Sequence, residues 1–184
     1  MKGLNAHPAG SNSGALTAGA YTYVVTVSTA SGEVSLEKVE GDAEVHCASG
    51  HITIGSARAT KVHSASGQVR IDHATGDVEV HTASGRIRIG VAEASVTAKT
   101  ASGDITVEDA RSGVVSLNAA SGDLHIGVRA GVTAHLDVSS VSGRIRSDLP
   151  VGDAAPESGS TLAVRARTMS GNVVIAPASV RIIT

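Results

Sequence analysis

At 184 residues the chain is 41% hydrophobic, yet Tyr21 and Tyr23 are its only Phe, Trp or Tyr residues, and the apolar content is nearly all Val, Ile, Ala and Leu. Such a composition suits a thin interior built of small layers and offers no platform for stacking nucleobases. A formal net charge of −2 gives no pull toward nucleic acid or anionic lipid, the single Cys47 excludes an intramolecular disulfide, and no apolar run approaches a membrane span.

Residues 1–20 are rich in Gly, Ala and Ser and are expected to form a flexible lead-in or partial cap. They lack the apolar centre of a signal peptide, so the expected location is cytoplasmic, or surface or secreted if a leader once preceded them. From residue 21 onward the sequence repeats. Ser-Gly recurs at 31–32, 49–50, 66–67, 84–85, 102–103, 121–122, 142–143 and 170–171, in steps of 18, 17, 18, 18, 19, 21 and 28 residues.

With each Ser-Gly serine as origin, the copies align. Four residues before it stand Val27, Val45, Val62, Val80, Ala98, Leu117, Val138 and Ala166. Three after it stand Val34, Ile52, Val69, Ile87, Ile105, Leu124, Ile145 and Val173. Five after it the series is Leu36, Ile54, Ile71, Ile89, Val107 and Ile126, then Ser147 and Ile175. Within each arm the apolar period is two and β-branched residues dominate, as in a strand with one buried face. Buried positions are even before the serine and odd after it, so the chain must turn a corner there, where glycine permits positive φ.

Two short strands per 18 residues make a unit too small to stand alone, and stacking buries each copy's apolar layer against the next. The expected fold is all-β: a single-stranded parallel β-solenoid of about eight rungs, roughly 18 residues per rung, over residues 21–184. The stretch DLPVGDAAPESGS at 148–160 accounts for the 28-residue step and is expected to be a surface loop inserted between rungs.

The segment TASGDITV at 100–107, with LDVSSVSGRIRSDL at 136–149 and VRARTMSGNVVI at 164–175, resembles a bacterial family of β-strand-repeat proteins commonly labelled adhesins, especially its actinobacterial members. The resemblance spans roughly residues 24–176 and implies the solenoid fold, while the family's molecular function is largely unassigned.

Stacking sets equivalent residues side by side. Three before the serine the column runs Ser28, His46, His63, His81, Lys99, Asn118, Ser139, Arg167. Its three histidines could offer imidazoles to zinc or copper, but a straight column without a Cys or acidic member supplies no tetrahedral set, and stacked exposed rings are the simpler reading. Arg70 and Arg88 share a column with Arg86 on the same face; together they are a candidate binding face for an anion, against the simpler reading of solvated arginines beside acidic neighbours. The column of Thr29, Cys47, Ser64, Thr82, Thr100, Ala119, Ser140 and Thr168 has interior parity, and its hydroxyls are expected to bond along the stack.

No nucleophile elbow, phosphate loop or zinc motif is present, so neither catalysis nor a cofactor is expected. The expected role is a non-catalytic structural or interaction protein that forms a homo-oligomer or filament through its end rungs. Val180, Ile182 and Ile183 would line one joining surface, since uncapped strand edges recruit further strands. The alternatives are a monomeric adhesin-like module recognising a glycan or protein, and metal binding by His46, His63 and His81.

Overall fold

The computed structural model describes residues 5–6, 16–21, 25–149 and 161–178. Val180, Ile182 and Ile183 lie outside them, as does the expected insertion beyond Leu149. Among the described residues the chain forms strands and no helix. In chain order these are β1 (Asn5–Ala6), β2 (Leu16–Tyr21), β3 (Val25–Ser31), β4 (Val34–Ser49), β5 (Ile52–Ser66), β6 (Val69–Ala74), β7 (Val78–Ser84) and β8 (Ile87–Ala92). They continue as β9 (Val96–Ser102), β10 (Ile105–Ala110), β11 (Gly113–Ser121), β12 (Leu124–Val128), β13 (Thr133–Ser142), β14 (Ile145–Ser147), β15 (Thr161–Ser170) and β16 (Val173–Pro177).

The pairings are parallel and fall into two stacks. The arms that precede each Ser-Gly corner line up as β1, β3, the second half of β4, the second half of β5, β7, β9, β11, β15 and β13. The arms that follow it line up as β2, the first halves of β4 and β5, then β6, β8, β10, β12, β16 and β14. The fold is therefore an all-β parallel coil. Residues 16–21, within the expected lead-in or partial cap, pair as a strand with Val34–Val39.

Each stack buries alternate residues, and the buried faces meet in one core. Val45, Val62, Val80, Ala98, Leu117 and Ala166 line it from one side, and Ile54, Ile71, Ile89, Val107, Ile126 and Ile175 from the other, nearly all with no measurable exposure. Each such Val or Ile removed from water contributes roughly 1.5–3 kcal/mol before the entropy of ordering the chain is set against it.

Seven of the eight corners obey the glycine requirement; Gly143, in the rung of β13 and β14, does not take a positive φ. Gly32, Gly50, Gly67, Gly85, Gly103, Gly122 and Gly171 hold φ between 129° and 146°. Stacking adds a second demand, because a Cβ on Gly85 would fall onto the carbonyl oxygen of Gly67 in the neighbouring rung. The corner thus excludes side chains twice, by torsion and by space.

The order of the last two copies departs from the expected succession. Strands β15 and β16, the last in the chain, sit between the rung of β11 and β12 and the rung of β13 and β14. The chain lays down its outermost rung at 133–147, and residues 161–177 then return to fill the space beneath it. Polar side chains register this insertion. Asp123 Oδ1 accepts from the Asn172 amide at 2.7 Å and from Asn172 Nδ2 at 3.2 Å, and Asn172 Oδ1 accepts from the Arg144 amide at 3.2 Å.

Candidate functional site

Among the described residues a groove runs across the strands along the first stack, with a cavity volume of about 1180 Å³. Strand alternation builds it. The position two before each serine points inward and forms the floor through Thr29, Cys47, Ser64, Thr82, Thr100 and Ala119. The next position is a solvent-facing alanine in every rung, from Ala30 to Ala120, too small to fill the space above the floor. The position before the floor supplies a wall of His46, His63, His81, Lys99 and Asn118. At the far end Met169 stands where the rungs from Ala30 to Ala120 have alanine, 63% exposed.

The floor hydroxyls do not bond along the stack as expected. Thr29, Ser64, Thr82 and Thr100 donate instead to the carbonyl two residues on in their own rung, those of Ser31, Ser66, Ser84 and Ser102, at 3.1–3.3 Å. Each latches its own corner. In the last two rungs Thr168 and Ser140 do reach across, to the carbonyls of Gly122 and Gly171. Cys47 occupies a latch position; burial raises its thiol pKa above the ordinary value, with a backbone hydrogen bond at Ser49 acting the other way.

The histidine column exists as registered pairs, His46 with His63 and His63 with His81, and it continues through Lys99, Asn118 and Arg167 before Ser139. The rings stack face to face, with centroids 5.0 and 5.2 Å apart. In-plane lone pairs of stacked rings run side by side instead of converging, and among the described residues no group of three or more His, Cys, Asp or Glu could hold a metal ion. The outer two rings have carboxylate partners, His46 Nε2 to Glu44 at 3.3 Å and His81 Nε2 to Glu79 at 3.1 Å. His63 sits between them beside Lys61. Desolvation first, and then the fields of His46 and His81, lower its pKa below the ordinary histidine value.

On the second stack the candidate arginines are already engaged. Arg70 Nε donates to Asp72 at 2.7 Å, Arg88 Nε to Glu108 at 2.7 Å, and Arg86 lies 3.4 Å from Asp104. Arg70 and Arg88 do share a column, but carboxylates interleave with all three, and the face is a mixed-charge lattice. The groove's alanine line and Met169 were not singled out from the sequence. The signal for them was present in the alanine that precedes nearly every Ser-Gly.

A family model described as Toastrack DUF4097 matches residues 15–176. The chain belongs to this family. Toastrack is a repeat family of unknown function, and its match covers both stacks, the groove and the inserted rung. No significant match to the chain was found among curated proteins or among solved structures. Among the described residues of this Toastrack chain no helix is long and apolar enough to cross a membrane.

Proposed function

We propose that this protein is a non-catalytic scaffold whose copies join end to end through the rung of β13 and β14. The reading rests on one observation: the apolar columns of the core run into this rung and stop there uncovered. Leu136 pairs with fully buried Val164 yet is 40% exposed, and Ile145 pairs with fully buried Val173 yet is 50% exposed. Val141 at the same end is 81% exposed. Among the described residues neither β13 nor β14 has a strand on its outer edge. Such an edge is a template for another strand.

A second copy fits the vacancy in backbone and side-chain terms alike. Two of these ends meeting about a twofold axis set β13 against β13 antiparallel, a pairing that backbone hydrogen bonds accept, and bring the two open apolar columns together. Sedimentation equilibrium over a concentration series tests this. The wild-type chain should dimerise, and Ile145→Lys combined with Val141→Lys, both at exposed positions, should hold it monomeric with an unchanged circular dichroism spectrum. A wild-type chain that stays monomeric at all concentrations, or a double variant that associates equally well, would overturn the proposal.

A further inference from the structure

The groove beside the histidine column is independent of the open end, and its periodicity and charge define an occupant. Six rungs that carry a solvent-facing alanine, from Ala30 to Ala120, span roughly 24 Å at about 4.8 Å per rung. The floor is flat, and the wall offers one nitrogen-bearing side chain per rung from His46 to Asn118, with the stacked imidazoles 5.0 and 5.2 Å apart. Among the described residues no carboxylate lines the groove itself, whereas His46, His63, His81 and Lys99 do; Glu44 and Glu79 sit beside the wall, bonded to His46 and His81. We propose that this groove binds a linear acidic polysaccharide, a polyuronate laid along the rod with about one sugar ring per rung, so that the carboxylates of alternate rings meet the wall of His46, His63, His81 and Lys99.

A β-1,4-linked chain turns each ring over relative to the last, so it presents a carboxylate to the same side once every two rings, in step with every second rung at about 9.6 Å. An extended peptide returns a side chain to the same face only every ~6.6 Å and falls out of step with the wall within a few rungs. Single-stranded nucleic acid needs aromatic platforms for its bases, and no Phe, Trp or Tyr lines the groove. A pyranose chain also suits a row of exposed alanine methyl groups, which meets the apolar faces of sugar rings while ring hydroxyls reach the wall nitrogens. Met169, in the inserted rung, stands at the end of the alanine line.

Proton uptake couples to this site. His46 faces Glu44, Ser28 and His63; His63 faces Lys61, Glu79, His46 and His81; His81 faces Glu79, His63 and Lys99. In the empty groove desolvation, and then the fields of His46 and His81, oppose protonation of His63, and a row of ligand carboxylates offsets that opposition. Binding therefore strengthens as pH falls from 7.5 to 5.5.

Isothermal titration with β-1,4-linked hexamannuronate, with neutral β-1,4-mannohexaose as its uncharged twin and hexaglutamate as a peptide polyanion, reads the proposal. Hexamannuronate should bind at least tenfold more tightly at pH 5.5 than at 7.5 and at least tenfold more tightly than either control. Ala101→Glu, a solvent-facing change in the groove, and Lys99→Gln should each weaken it about tenfold or more, while Arg70→Gln on the opposite stack leaves it unchanged. The proposal is overturned by no binding at pH 5.5, by equal binding of mannohexaose or hexaglutamate, or by Ala101→Glu having no effect.

Discussion

The corner glycines carry the most stringent demand on any single residue. At Gly85 the backbone torsion is φ 143° and the space a Cβ would need belongs to the Gly67 carbonyl. Gly131 also has positive φ, 83°, but nothing lies within 4 Å of a Cβ built there. Gly85→Ala should therefore cost at least about 3 kcal/mol and Gly131→Ala only about 1 kcal/mol, measured by urea denaturation midpoints. At His63 the effect is a pH dependence. Its folded pKa lies below the ordinary 6.5, so the unfolded chain takes up the proton first. This contribution is complete above about pH 7, falls as pH drops through 6.5, and levels off below the lowered folded value. Glu79, lowered by its hydrogen bond with His81, loses its contribution only as pH falls below 4.5, outside that window. Chemical denaturation at pH 7.5 and 5.5 should show a smaller loss of stability on acidification for His63→Gln than for wild type; an equal loss would remove His63 as the cause.

At the level of strands, period-two alternation around each Ser-Gly made both arms and the corner legible, because burial on one face leaves a mark at every second residue. The order of the strands was not legible from spacing, since a long step between copies looks like a loop inserted into an otherwise sequential stack. The column chemistry held the answer. Five after the serine, chain order gives Ile126, Ser147, Ile175, with a hydroxyl inside the core; spatial order gives Ile126, Ile175, Ser147, with the hydroxyl at the open end. The groove was half legible: the histidine, lysine and asparagine wall follows from alignment, but the hollow beside it comes from the alanines next to the corners. Their smallness has meaning only once they are stacked. Hydrogen exchange separates the two strand orders. Amides of β15 and β16, held between two rungs, should exchange as slowly as those of β11, while β13 and β14 exchange several-fold faster; the reverse ranking would restore sequential stacking.

The whole molecule is a narrow core extended in one direction, which explains how a chain without Phe or Trp buries a continuous interior. Each added rung covers the apolar layer of the one before, so cohesion accumulates by neighbour contacts and no large anchor is needed. The two stacks then divide the surface. One carries interleaved arginines and carboxylates that cancel locally, as at Arg70 with Asp72 and Arg88 with Glu108. The other keeps the groove and its nitrogen-bearing wall. The open apolar columns lie at right angles to both, at the end of the rod, so the proposed assembly through Leu136 and Ile145 would leave the groove of every copy free.

The inserted rung also sets a timetable for synthesis. A chain emerging amino terminus first can add its rungs one after another as far as β12. When β13 and β14 appear next, the seat they reach first is the one that β15 and β16 will need. Parallel pairing and matching apolar columns make that early docking favourable, so the nascent chain meets a competitor built from its own correct sequence. The native order forms only once residues 161–177 have left the ribosome and displaced or pre-empted it. The final third of the molecule is thus the part whose order of assembly depends on the timing of synthesis, while the rungs up to β12 stack in the order in which they emerge.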